Sequence, residues 1–194
     1  MRLFLALNFP AGLQRAIFDG TAPLRAAAPG LAWVAEPRLH LTLKFIGEQP
    51  DDAVAPLARA LDGVGAAHGP VTMSLGGLGA FPNQRRPRVV WLGVAPDPKL
   101  ELLHHDVETA CAALGYEVEG RAFRPHVTLA RVRPGRRSGG GEPDAAAARA
   151  LADAAREVQF RGSAVVETLD LMRSELGAGG SRYTLLHAAP LQPR

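Results

Sequence analysis

The tetrapeptide His-x-Thr-Leu occurs twice, in HLTLKFIG at residues 40–47 and in HVTLARVR at residues 126–133, each time inside an apolar run that reads as a β-strand. Chance does not account for it: with six His, seven Thr and 26 Leu among 194 residues, a shuffled chain carries about 0.03 copies. In a strand, side chains at i and i+2 point to one face, about 6.5–7 Å apart. His40 therefore shares a face with Thr42, and His126 with Thr128. Each motif strand also follows a helix and a short connection and starts just after a proline, as EPRLHLTL and as FRPHVTL. The repetition predicts a fused duplication: two copies of one lobe facing each other, with the two His-Thr faces meeting across a cleft.

The remaining segments fit such a pair of lobes. RLFLAL (2–7) reads as a buried strand, and Pro10 to about Ala28 as a helix carrying Leu13, Ile17 and Leu24. LAWVA and LHLTLKFIG read as strands joined by a turn at Glu36 and Pro37. PDDAVAPLARALDGV (50–64) has acidic residues for a first helical turn and apolar residues at 54, 57 and 61. VTMSLGG and RPRVVWLGV are strands. DPKLELLHHDVETACAALG is a helix capped by Asp97, with Pro98 at its first position and Gly115 closing it. After FRPHVTLARV comes RPGRRSGGGEPD, with no apolar anchor, which predicts a mobile loop. Residues 143–157 read as an Ala-rich helix, and SAVVETLDLMRSEL and RYTLLHAAPL as a closing pair of strands around GAGG. The pattern is α+β.

A chain of this length makes one domain, 1–194, or two small lobes sharing a core. Its single cysteine, Cys111, cannot form an internal disulfide and reads as a buried small hydrophobe. The opening MRLFLALNFP has too short an apolar stretch for a signal peptide, and no later run approaches a membrane span. The expectation is a soluble, cytoplasmic monomer without membrane contact. Net charge is +3, and Arg supplies all the basic residues but Lys44 and Lys99. Arg85, Arg86 and Arg88 precede one strand, while Arg131, Arg133, Arg136 and Arg137 follow the second His motif. That clustering predicts either an anionic partner near the second motif or a solvated basic loop.

Two imidazoles and two hydroxyls around one small volume suit a phosphodiester. One neutral His can deprotonate a water attacking phosphorus while the other, protonated, donates to the departing oxygen; reference pKa values near 6.5 let both forms coexist. Thr42, Thr128 and Arg131 can hold the non-bridging oxygens as charge builds on them. A lone His in an apolar strand is more often a core residue, but repetition argues against that here. A metal site is disfavoured because neither motif contains Asp, Glu or Cys as a third ligand. His104 and His105 are adjacent on a helix and point apart, which predicts surface or lobe-packing roles. His68 and His187 are expected to be structural or solvated.

HLTLKFIG and RPHVTLARVR at this separation, with RLFLALNFP, RPRVVWLGV and LDLMRSELGAGGSRYTLL, resemble the RNA 2',3'-cyclic phosphodiesterase family, also called the 2'-5' RNA ligase family, of the two-histidine phosphoesterase superfamily. The likeness runs over almost the whole chain. It implies a bilobal α+β fold with two pseudo-two-fold-related antiparallel sheets, outer helices and a central cleft. It also implies no metal or other cofactor, and hydrolysis of 2',3'-cyclic phosphate ends of RNA or nucleotides to 2'-phosphates. Carried over by residue, the catalytic pair falls on His40 and His126, with His126 as base and His40 as acid. The phosphate-binding threonines fall on Thr42 and Thr128, and the arginine after the motif on Arg131. Phe45 matches an aromatic that either contacts the nucleoside or packs in the core. A ligase joining 2',3'-cyclic phosphate and 5'-hydroxyl ends, and a non-catalytic RNA-binding module of the same fold, are the alternatives. The Gly-rich stretch 135–141 departs from the family pattern.

Overall fold

Strand β1 (Arg2–Asn8) alternates Leu3, Leu5 and Leu7, all fully buried under the helices, with Phe4 and Ala6, which are buried on the other face. Its continuous apolar run follows from burial on both faces. The computed structural model describes residues 1–83, 86–132, 145–177 and 180–192. Within these, the strands form one antiparallel sheet in the order β7-β4-β5-β6-β3-β1-β8-β9, with β2 paired to β6. The ranges are β2 Ala32–Trp33, β3 His40–Glu48, β4 Val71–Phe81, β5 Val89–Val94, β6 His126–Arg131, β7 Arg161–Val166, β8 Thr168–Gly177 and β9 Gly180–Pro190.

The two lobes expected from the repeated motif are the halves β3-β1-β8-β9 and β6-β5-β4-β7 of this sheet. Each half places its His-bearing strand innermost. The halves join where β3 meets β6, with Leu41 opposite Val127, both buried.

Helices α3 (Val54–Ala67) and α4 (Pro98–Ala113) pack on the sheet, α3 against β8 and β9 and α4 against β3. Asp97 caps α4 as expected, its Oδ1 accepting from the N–H groups of Lys99 (2.8 Å) and Leu100 (3.3 Å). Gly115 follows the helix with a φ of +89°, a conformation that favours glycine. Among the described residues, no helix is long and apolar enough to cross a membrane.

Three sequence expectations change. The helix expected over 10–28 is two helices, α1 (Ala11–Gly20) and α2 (Ala22–Ala27), divided at Thr21. Pro23 has no N–H and its ring clashes with a preceding helical turn, so the helix restarts there. The LAWVA strand is only the two-residue β2, and Glu36–Arg38 form a 3-10 turn leading into β3. The run SAVVETLDLMRSEL is two strands divided at Glu167: β7 pairs with β4 at one edge, and β8 with β1 in the other half. A strand-forming run carries no mark of where its pairing partner changes. The Ala-rich helix, α5, is described over Ala145–Glu157; residues 143 and 144 lie outside the described residues.

Candidate active site

The two motif strands break alternation at the same place. On β3, Thr42 faces Ala6, Lys44 faces Leu5 and Phe45 faces Phe4, which leaves Leu43 as the extra residue of a bulge. On β6, Thr128 faces Trp91, Ala130 faces Val90 and Arg131 faces Val89, which leaves Leu129 extra. Each bulge turns two successive side chains inward: Leu43 with Lys44, and Leu129 with Ala130, all buried. The residue five after each His is thereby returned to the His-Thr face, where strict alternation would have sent it to the core. Phe45 and Arg131 are thus counterparts in the two halves.

All four motif side chains share one face of the sheet, opposite the buried Leu41 and Val127. An antiparallel ladder centred on Leu41 and Val127 runs His40 towards Thr128 and Thr42 towards His126. This is the local two-fold expected from the duplication.

Both imidazoles are oriented alike. Nδ1–H of His40 donates to the Arg38 carbonyl at 2.7 Å, and Nδ1–H of His126 to the Arg124 carbonyl at 2.7 Å. A carbonyl only accepts, so the neutral rings carry their proton on Nδ1 and keep a lone pair on Nε2. Nε2 of His40 lies 3.1 Å from Thr42 Oγ1, whose hydroxyl donates to it in that tautomer. Aromatic rings hold each imidazole from the side: Phe4 (5.2 Å) and Tyr183 (5.4 Å, edge-on) against His40, and Phe81 (5.2 Å, edge-on) and Trp91 (6.1 Å) against His126.

Burial pushes both imidazoles below the ordinary histidine range; the backbone carbonyls oppose this, and the Arg131 guanidinium lowers both further. One exposed guanidinium therefore acts electrostatically on both histidines. The site can take an anion between two Nε2 atoms, two hydroxyls and that positive charge.

Phe45 is 68% exposed, which removes the core-packing alternative; its ring sits 6.3 Å from Phe4. Three of the other histidines are paired with residues outside the two motifs. His68 meets Asp106 and His187 meets Asp62, each at 2.7 Å, and His104 stacks on Phe123 at 3.8 Å. His105 is exposed. Cys111 is fully buried and its thiol is pushed up to about 11, chiefly by burial. Arg85, Arg133, Arg136, Arg137 and the stretch 135–141 lie outside the described residues. Among the described residues, no group of three or more His, Cys, Asp or Glu could hold a metal ion.

Sequence reading missed the aromatic walls, the two backbone carbonyls, and a buried ion pair between Lys44 and Glu108 (2.7 Å). Phe4 was discoverable, since it shares a face of β1 with Asn8, which pairs with His40. The carbonyl partners left no mark, because any residue supplies a carbonyl.

The profile of the 2'-5' RNA ligase superfamily matches residues 13–178. A protein of Geobacillus stearothermophilus named RNA 2',3'-cyclic phosphodiesterase is 36% identical over 128 residues, which span 66% of this chain and 41% of that protein. One of the same name from Methanothermobacter thermautotrophicus is 30% identical over 186 residues, 95% of each chain. The crystal structure of TT0787 of Thermus thermophilus superimposes with a TM-score of 0.77 at 27% identity, over 99% of this chain and 98% of that one. A profile spanning most of the sequence and a relative aligned nearly end to end agree with the duplicated His-Thr strands: this chain belongs to the 2'-5' RNA ligase superfamily.

Proposed function

We propose that the protein hydrolyses the 2',3'-cyclic phosphate ends of RNA to 2'-phosphomonoesters, with His40 and His126 as the acid–base pair. The observation that carries this reading is the paired orientation of the imidazoles. Two Nε2 atoms, each fixed by an Nδ1–H bond to a carbonyl two residues upstream, lie on one face of two strands that meet in antiparallel register. The relatives' name, RNA 2',3'-cyclic phosphodiesterase, supports the substrate class.

In this reading the phosphate lies between the two motifs. Nε2 of neutral His126 takes a proton from a water, whose oxygen attacks phosphorus as the P–O3' bond breaks. Nε2–H of His40 gives its proton to the departing O3', leaving a 2'-phosphate and a free 3'-hydroxyl. Thr42, Thr128 and Arg131 hold the non-bridging oxygens, and Phe45, on the same face, contacts the nucleotide chain. Lowered imidazole pKa values suit the base. The acid is kept protonated in the complex because the bound phosphate offsets the Arg131 charge. Hydrolysis dominates the reverse ligation because water is the abundant nucleophile.

A cyclic-phosphate-ended oligonucleotide incubated with the purified protein and excess chelator tests the reading. The expected product is a 2'-phosphate end, formed at an undiminished rate, because side chains supply the acid, the base and the charge. Loss of turnover on chelation, restored by zinc or manganese, would contradict it.

The pH dependence follows from the same electrostatics. With one imidazole neutral and one charged, kcat/KM is expected to be bell-shaped, with both limbs belonging to the coupled pair. Burial and Arg131 both push the histidines down, so the optimum falls on the acid side of about 6.5, the unperturbed value. Arg131→Gln removes a positive charge, so both limbs move to higher pH while kcat/KM at the optimum falls by about 10²-fold. Limbs that stayed in place would show that Arg131 does not sit beside the histidines in solution.

A further inference from the structure

Each imidazole of the cleft takes its orientation from a carbonyl, and the two carbonyls are held by different means. That of Arg38 belongs to the 3-10 turn Glu36–Arg38, which its own backbone closes: the Arg38 N–H donates to Ala35 at 2.9 Å and the Leu39 N–H to Glu36 at 3.1 Å. That of Arg124 belongs to residues 114–125, which join α4 to β6 without a helix or strand. At the ends of this segment the Tyr116 N–H donates to the Cys111 carbonyl, and the Pro125 carbonyl accepts from the Val94 N–H. Among the described residues, the backbone of 117–124 makes no hydrogen bond to other backbone.

Side chains of β3 and α4 fix this stretch instead. The Glu117 carbonyl accepts from Lys44 Nζ at 2.7 Å, and the Glu119 N–H donates to Glu108 Oε2 at 3.1 Å. Phe123 stacks on the His104 ring, with centroids 3.8 Å apart and planes 8° from parallel. His104 stands one helical turn before Glu108, its Nε2 3.8 Å from Oε1. Burial, opposed chiefly by Glu108, holds His104 below the ordinary histidine range, so near neutral pH the ring is an uncharged stacking partner. The residue after Phe123 is Arg124, whose carbonyl takes the His126 proton.

We propose that His104 and Glu108 are positioning residues for His126: they hold 117–123, and so place the Arg124 carbonyl where it accepts Nδ1–H and leaves the Nε2 lone pair on the cleft face. A ring released from that carbonyl can also carry its proton on Nε2, a form with no lone pair for a water. His40 needs no such support, because a turn closes its carbonyl. One helix thus sets the protonation site of one histidine of the pair. The effect on rate rests on the hydrolase reading; the effect on the tautomer does not.

Nitrogen NMR of the intact protein, isotopically labelled at histidine, reads the tautomer of each ring at about pH 8, where both are neutral. Loss of a signal in His40→Ala or His126→Ala assigns it. The parent is expected to show the Nδ1–H form at both rings. His104→Ala should move His126 to a mixture of tautomers and leave His40 unchanged. So should Lys44→Met combined with Glu108→Leu, which removes both buried charges together and keeps the fold. Both variants should lose about 10–10²-fold in kcat on a cyclic-phosphate end. His104→Phe, which keeps a ring against Phe123, should stay within about threefold of the parent and retain its tautomers. An unchanged His126 tautomer in either impaired variant, a change at both histidines alike, or no rescue by His104→Phe would overturn the inference. A shifted His126 tautomer with the rate intact would support the positioning and overturn the role of His126 as base.

Discussion

Replacing either His40 or His126 by alanine is expected to slow hydrolysis of a 2',3'-cyclic phosphate end by about 10²–10⁴-fold while the protein stays folded. Each ring is half-buried at the cleft, so its removal opens no sealed core cavity, and the freed carbonyl of Arg38 or Arg124 is within reach of solvent. In the proposed mechanism the two rings act on one phosphorus in one step. The double variant should therefore lose little more than the worse single variant, because groups that act as a unit are strongly non-additive. Rates on a cyclic-phosphate-ended oligonucleotide, beside thermal melts of the same preparations, check this. Multiplying losses would mean that the two histidines contribute independently, and that a shared proton-transfer step is wrong.

A second large effect lies away from the chemistry. Lys44 belongs to the first motif strand, yet the bulge at Leu43 turns it into the interior, where Nζ meets Glu108 Oε2 at 2.7 Å and the Glu117 carbonyl at 2.7 Å. Glu108 Oε2 also accepts from the Glu119 N–H at 3.1 Å. The pair ties α4 and the segment after it to the back of β3. Both side chains are less than 10% exposed, so removing one partner leaves the other's charge in the interior. Lys44→Met is expected to lower stability by about 3–5 kcal/mol, and the double replacement Lys44→Met with Glu108→Leu to recover most of that loss. Denaturant unfolding of the two variants against the parent decides it. A double variant as unstable as Lys44→Met would show that the pair contributes net stability beyond relieving a buried charge.

These two effects mark where the sequence was and was not legible. The His-Thr faces could be read because period-two alternation is local and the motif is repeated, and a duplicated motif on strands implies facing halves. The bulges could not: no residue in TLKF or TLAR announces one, yet they decide that Phe45 and Arg131 join the cleft face while Lys44 leaves it. Arg131 was expected to hold phosphate through chemistry and resemblance; its face comes from the register with Val89 to Trp91. Lys44 looks like an exposed charge interrupting an apolar run, because its partner stands 64 residues later. The division at Glu167 was hidden for a related reason, since strand partners are chosen in three dimensions.

The near-symmetry of the two motifs also hides which histidine is acid and which is base, and a change of leaving group separates them. An alkoxide such as O3' needs a proton to depart, whereas a nitrophenolate does not. Hydrolysis of a nitrophenyl phosphodiester and of a 2',3'-cyclic phosphate should therefore be measured side by side for His40→Ala and His126→Ala. The account predicts that His40→Ala loses the cyclic phosphate reaction but retains a substantial fraction of nitrophenyl diester hydrolysis, and that His126→Ala loses both. The reverse pattern would exchange the roles, and equal loss on both substrates in both variants would contradict acid–base catalysis by this pair.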